Sequence, residues 1–336
     1  MSRGKSPSIK TVADLAGVSV ATVSNVLNGK PSVSSDFAQR VNDAVRELGY
    51  AVNIGASRLR SQKSQLAAVL VPDLTNPMFA AFVSTLEHLA RVDGFDLVVL
   101  SARNDVREEA DRLSRLRSWR PAGLIAIACD GALAERIQTG FAAPIVAVDR
   151  IPDDPSFDLV AVDNGPATGA LISHLEEQGY RDALVVGTSL KISNVRERWE
   201  GACAAASKIH LELLEIGIDD LAGQNLLERR LREAPPRVLV SLDHGSTLIA
   251  YRMCADIGLS VPGAIALASF DDMEWMRLVT PAITAVRQPV EQMAEHAWAL
   301  LSHHIEGASA GRINRRLRCA VEIRGSTPRL LPMEAE

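Results

Sequence analysis

Aromatic residues are scarce in this chain. Its 336 residues include seven Phe, three Tyr and four Trp, 4% of the total. Burial must therefore rest on aliphatic side chains, which keep the hydrophobic content at 47%. Cysteine is scarcer still. Cys129, Cys203, Cys254 and Cys319 are far apart and form no CxxC pair. This spacing argues against a disulfide framework or a metal cluster, and a reducing cytoplasm is the expected compartment. No apolar run reaches bilayer-spanning length, so no membrane partner is expected. The opening MSRGKSPSIK carries basic residues with no apolar stretch behind them, unlike a secretory leader. Three catalytic fingerprints are missing as well: G-x-G-x-x-G after the first apolar run, G-x-x-x-x-G-K-[ST], and G-x-S-x-G. His244 beside Asp243 is the most catalytic-looking residue, but no nucleophile accompanies it, and a lone His is more often structural. His303 and His304 are adjacent on a helix, which is poor metal-ligand geometry. The expectation is no enzyme, no metal and no cofactor.

The length suits two or three compact units. A net charge of −5 conceals an asymmetry. Residues 1–63 hold nine Lys and Arg against four acids, so this segment stands at +5 and the remainder at −10. A basic head on an acidic body suits a phosphate-binding module joined to a domain that does not bind DNA. A solvated basic tail would give the same balance, so charge alone does not decide.

Residues 8–50 read as helices only. Thr11 precedes VADLAG, Ser19 precedes VATVSNVLNG, and each stretch closes on a glycine, the order of cap, apolar period and C-terminal stop. A third helix, Ser35 to Leu48, places Phe37, Val41, Val45 and Leu48 on one face. The unit 11–28 is then helix, glycine turn and helix, the arrangement in which a second helix enters the DNA major groove. Val23, Val26 and Leu27 face the helical core, leaving Ser19, Val20, Ala21, Thr22, Ser24 and Asn25 outward. Small hydroxyls suit phosphates, Val20 and Ala21 suit thymine methyls, and Asn25 can pair bidentately with an adenine edge. A generic helical hairpin would show the same pattern.

From residue 66 the rhythm changes. Ten apolar runs, from LAAVLVP (66–72) to ITAVR (283–287), alternate with amphipathic helical stretches, which predicts parallel strands covered on both faces. Ten strands exceed one usual sheet, so two sheets side by side are expected. A last short strand, CAVEIR (319–324), implies that the chain crosses between lobes more than once. In open α/β sheets ligands sit outside the C-terminal strand edges. The candidates there are Asp73, Asn76 and Phe79, then Ser101, then Asp149 and Arg150, and in the second half Asn194, Arg196, Arg198, Asp243 and Asp271. Carboxylates and arginines with one aromatic suit a sugar. Each Asp could equally be a helix cap.

The stretch SIKTVADLAGVSVATVSNVLNGKPSVS closely resembles the headpiece of the lactose-repressor (LacI/GalR) family. RELGY and NIGASRLRSQKS follow it, and the resemblance continues through VPDLTNPMF, VDR, VDN, RERWEG, SFDD and ITAVRQP, about residues 8–325 in all. It implies a fold of an N-terminal three-helix helix-turn-helix headpiece plus a bilobed, periplasmic-binding-protein-like α/β sensor with two parallel sheets. The implied organisation is a headpiece at 1–50, a hinge helix or linker at 51–64, and an effector-binding and dimerisation domain at 65–330. The implied function is a transcriptional repressor that binds duplex operator DNA as a homodimer and responds to a small sugar-like effector. The resemblance extends the DNA-contacting set to Ser8, Ile9, Asn28, Ala56 and Leu59, with Leu59 matching an apolar wedge that enters a base step. Positions matching Val20, Ala21 and Asn25 set much of the sequence preference. Positions matching Arg198 and Asp271 contact the effector, while Phe79, Asp149 and Asn194 line the pocket. The chain departs from the family at Asn25, where Arg is commoner, at Leu242 of Leu242-Asp243, where Asn-Asp is often found, and in GIDDLAG, which lacks the usual aromatic. A periplasmic sugar-binding protein shares the bilobed body. It would lack the basic headpiece, and DNA binding that is lost on removal of residues 1–63 would separate the two.

Overall fold

The computed structural model describes residues 7–27, 33–50, 64–137, 141–154, 156–217, 219–307 and 311–330. Asn28, Ala56 and Leu59 fall outside them. The chain divides into two units, 1–64 and 65–336.

Among the described residues the first unit holds three helices, α1 (Ile9–Ala16), α2 (Val20–Leu27) and α3 (Ser35–Leu48). The expected cap of α1 is corrected by one turn. Ser8, not Thr11, is the N-cap, and the two form a reciprocal capping box: Thr11 N donates to Ser8 Oγ and Ser8 N donates to Thr11 Oγ1. Thr11 mimics a cap because a hydroxyl at the third helical position serves the same orphan amides. Ser19 caps α2 as expected, its Oγ accepting from Thr22 N at 3.0 Å. Gly17 closes α1 at φ 63°, the left-handed region that favours glycine, beside Arg40 Nη2, which donates to the Ala16 carbonyl. Val12, Ala13, Ala16, Val23, Val41 and Ala44 form the small core. Phe37 is the exception to the expected α3 face. It lies outside that core, 42% exposed, with the Arg40 guanidinium over its ring.

The second unit contains two six-stranded sheets. In the first lobe β1 (Leu66–Val71), β2 (Asp96–Ser101), β3 (Gly123–Ala126), β4 (Ile145–Val148), β5 (Asp158–Val162) and β11 (Asn314–Leu317) pair in the order β11-β5-β4-β3-β1-β2, all parallel. The second lobe repeats that plan. Here β6 (Asp182–Gly187), β7 (His210–Glu215), β8 (Val238–Ser241), β9 (Ala266–Phe270), β10 (Thr284–Arg287) and β12 (Ala320–Glu322) run β12-β10-β9-β8-β6-β7, and only β12 is antiparallel to its neighbour. Ten of these strands are the apolar runs read from the sequence. The register of β1 on β2 pairs Leu66 with Asp96 and Val71 with Ser101, which aligns their C-terminal ends.

The central strands are buried on both faces, as in Val69, Ile125, Val146, Val160, Val185 and Val240. Burial of each such side chain contributes about 1.5–3 kcal/mol. Helices α4 (Pro77–Val92), α5 (Val106–Trp119), α6 (Leu133–Arg136) and α12 (Val290–Ile305) belong to the first lobe, and α7 (Asn164–Glu177), α8 (Ser193–Ala205), α9 (Leu221–Glu233), α10 (His244–Asp256) and α11 (Trp275–Leu278) to the second. The chain therefore crosses between lobes three times, after β5, after β10 and after β11. Helices α7 and α8 pack unusually closely. A Cβ on Gly201 would lie 2.3 Å from the Gly165 backbone, so glycine at 201 lets α8 bring Arg198 down to the sheet ends.

Candidate functional sites: a DNA-reading helix and a polar cleft

On α2, Val23 is fully buried and Val26 and Leu27 pack on the core, which fixes the opposite face outward. Ser19, Val20 and Ala21 are exposed, and Thr22, Ser24 and Asn25 are half-buried. Ser19 and Thr22 share a hydroxyl–hydroxyl hydrogen bond of 2.8 Å that phosphate oxygens could replace. Ser8 is exposed at the start of α1, and Ile9 packs half-buried on the core.

In the second unit, strand ends converge on a buried charge cluster. Asp149 follows β4 and Asp271 follows β9, the same position in the two repeated sheets. Both adopt positive φ, 63° and 74°, a conformation that Asp tolerates better than most residues. Each is buried, at 1% and 6% exposure. Asn194 Nδ2 on α8 donates to Asp149 Oδ2 at 2.8 Å, which joins the lobes. Beside it Ser193 Oγ accepts from Ile151 N at 2.7 Å.

Arg198 is the largest wholly buried side chain among the described residues. Its Nε donates to Asn164 Oδ1 and its Nη1 to the Leu242 carbonyl, both at 2.8 Å. Its guanidinium lies 3.7 Å over the Phe270 ring and 3.7 Å from Asp271 Oδ2. Asp271 also accepts from His244 N and from Gln288 Nε2, at 3.1 and 2.6 Å. Burial pushes the Asp149 carboxyl above its ordinary pKa. Arg198 and Arg150 pull it back, Asp271 raises it, and the Asn194 hydrogen bond lowers it. Asp149, Arg150, Asn194, Arg198 and Asp271 thus form one electrostatic group.

Of the other six candidates, Ser101 ends β2 half-buried, and the remaining five have local tasks. Asp73 closes a turn, accepting from Thr75 N and Thr75 Oγ1. Asn76 caps α4 through Met78 N, and Phe79 is buried in the main core. Arg196 is exposed and reaches the Leu190 carbonyl. Asp243 caps α10 through Ser246 N, and its second oxygen accepts from Thr188 N and Thr188 Oγ1. Both Asp243 oxygens are engaged before any ligand arrives.

Gln288 was not among the candidates. It is buried in the crossover after β10, and its amide donates to Asp271 and to Met78 Sδ of the first lobe. The rule that led to Asp149, residues following a strand, applies equally to Gln288. Asn164 likewise escaped notice, because its partners Arg198 and Glu197 lie more than 30 residues away. A groove of about 720 Å³ lies between α7, α8 and Arg316 and includes Asn164, but its lining is separate from the Asp149–Asp271 cluster. Among the described residues no group of His, Cys, Asp and Glu could hold a metal, and no helix is long and apolar enough to cross a membrane.

Residues 8–53 match the family model for bacterial regulatory proteins of the lacI family, and residues 172–327 match a periplasmic binding protein-like domain. The HTH-type transcriptional regulator PtxS of Pseudomonas plecoglossicida is 31% identical over 325 residues, 95% of each chain. The chain belongs to the LacI family of transcriptional regulators. This LacI-family regulator is also 30% identical to the sucrose operon repressor of Klebsiella pneumoniae over 331 residues, 95% of this chain and 98% of the relative. The Lac repressor dimer bound to operator and the anti-inducer ONPF superimposes with a TM-score of 0.84 at 23% identity, covering 96% of this chain and 100% of the other. The α1–α3 unit is thus the DNA-binding domain, and the bilobed unit is the ligand-binding sensor domain.

Proposed function

We propose that this regulator is a cytoplasmic homodimeric repressor whose affinity for a palindromic operator is set by a sugar or sugar derivative held at the Asp149–Asp271 cluster. One observation carries the ligand class. Asp149 Oδ1, Gln288 Oε1, Arg198 Nη2 and Arg150 Nε are buried without hydrogen-bond partners among the described residues. Two accept and two donate. An unpaired buried polar group costs about 1–3 kcal/mol, so the cluster favours a ligand that satisfies both kinds. Each hydroxyl of a polyol offers both functions. The sucrose operon repressor and the ONPF-bound Lac repressor support a sugar-like effector, and the Lac repressor dimer on its operator supports two-fold DNA recognition.

In this reading Val20, Ala21 and Asn25 read base edges, while Ser8, Ile9, Ser19, Thr22 and Ser24 position the helix on phosphates. Arg150, Asn194, Arg198 and Asp271 hold the effector together with Asp149. Closure of the lobes on the ligand shifts the population of DNA-competent dimers. The hinge role of residues 51–64, centred on Leu59, rests on the sequence resemblance alone. Thermal-shift screening of sugars and phosphosugars tests the effector class, since a ligand specific for the native state raises Tm. Duplex-DNA binding with and without residues 1–63 tests the rest. DNA binding that survives removal of those residues contradicts the reading.

A further inference from the structure

Arg150 differs from Arg198 in how it is held. Its Nη1 donates to two backbone carbonyls beyond the end of β3, Ala128 at 3.0 Å and Cys129 at 2.6 Å. That double contact fixes the guanidinium plane. Nε, shut off from solvent, is left without an acceptor among the described residues. The carbonyls are in turn held from behind. Glu109 on α5 is wholly buried, yet it belongs to neither the charge cluster nor the apolar core. One of its oxygens accepts from Cys129 N at 2.5 Å and the other from Arg136 Nε at 2.5 Å. Arg136 Nη2 then reaches Asp130 Oδ1 at 2.6 Å.

A buried carboxylate needs compensation, and Arg136 supplies it. Stapling α5 to the loop after β3 could have been done by an apolar side chain. Glu109 instead grips the amide of the residue whose carbonyl orients Arg150. Its charge is also felt there: burial works against a charged Arg150, and the Asp149 and Glu109 carboxylates work for it. Cys129 itself is no reactive centre, because burial first and Glu109 next push its thiol up to about 12.

We infer that Glu109 is a positioning residue, which holds the 128–130 segment so that Arg150 presents Nε–H to an oxygen acceptor of the effector. The inference rests on the proposed effector site. It adds a determinant of specificity that lies behind the strand ends and touches no ligand.

The test is a double-mutant cycle of Glu109→Gln and Arg150→Met in the full-length protein. Affinity is measured for glucose, galactose, fructose, xylulose, sucrose and cellobiose, with Tm recorded for every variant. For the sugar that binds best, Glu109→Gln alone weakens binding about tenfold, and it adds nothing once Arg150 is Met. A lowered Tm with unchanged affinity, or losses that multiply independently, overturns the inference. The Arg150 Nε–H resonance, identified by its loss in Arg150→Met, gives a readout that needs no ligand. In Glu109→Gln it exchanges at least tenfold faster, while the Arg198 resonance is unchanged. An unmoved Arg150 resonance overturns the positioning role. A panel in which no sugar raises the wild-type Tm overturns the sugar reading separately. If Glu109→Gln does not fold, Arg136→Lys, which keeps the charge but loses the fork, shows the same loss of affinity or the inference fails.

Discussion

Replacing Arg198 by Met removes a buried charge while keeping a stem of similar length over Phe270. The guanidinium supplies two hydrogen bonds, to Asn164 Oδ1 and the Leu242 carbonyl, and sits 3.7 Å from Asp271. Its loss orphans both acceptors and strips Asp271 of its facing cation. Asp271 is not left bare, because His244 N and Gln288 Nε2 still donate to it. Breaking a buried pair from one side costs about 3–5 kcal/mol, and those two donors hold the expected value near the lower end, about 3 kcal/mol. At roughly 2–4 °C per kcal/mol for a domain of this size, Tm falls by about 6–12 °C. Thermal and urea unfolding measure this directly. Asp271→Asn is the partner variant, since Asn tolerates the positive φ at 271 where Ala is strained. Adding it to Arg198→Met returns about 1–3 kcal/mol, the size expected for coupled neighbours. A loss below about 1 kcal/mol in Arg198→Met, or strict additivity of the two changes, refutes the view that the cluster is electrostatically coupled.

Gly201→Ala forces α7 and α8 apart, because its Cβ would meet the Gly165 backbone at 2.3 Å. Overpacking of this kind costs about 1–3 kcal/mol, and unfolding measurements will show it together with weaker effector binding. Asp149 keeps its proton to higher pH in the folded state than when unfolded. Wild-type stability therefore falls as pH rises from the ordinary Asp range through the raised pKa, and Asp149→Asn flattens that slope. An identical pH profile in the variant counts against a perturbed Asp149. Asn25→Ala costs about 1–3 kcal/mol at one base pair of each half-site and relaxes the choice of base there, as read by competition between operator variants. A uniform loss across all sequences would instead assign Asn25 to the phosphates.

Much of this was legible in the sequence because it is local. The 3.6-residue period placed Val23 inward and Val20, Ala21 and Asn25 outward on α2. The ten strands β1–β10 announced themselves as short apolar runs. β11, NRRL, did not, because it is an edge strand whose arginines remain exposed. At the cleft, the strand-end rule found Asp149 and Asp271 but could not separate them from Asp243. All three are aspartates after strands. Only the fold shows that Thr188, 55 residues from Asp243, already occupies one Asp243 oxygen. Glu109 was invisible for the same reason, since what it does depends on partners brought close by the sheet order, whereas Gln288 directly follows β10 and the strand-end rule could have found it. Phe37 misled because periodicity assigns a face but not how far along the helix the core extends.

The most direct test of the account joins its two halves in one titration. Duplex sites are selected from a random pool by the full-length protein, and their Kd is measured by fluorescence anisotropy with and without the sugar that raises Tm. The account predicts a two-fold symmetric site bound by a dimer, a Kd that changes at least tenfold with the sugar, and loss of that response in Asp271→Asn with DNA binding retained. A sugar that raises Tm and leaves the DNA Kd unchanged would contradict it.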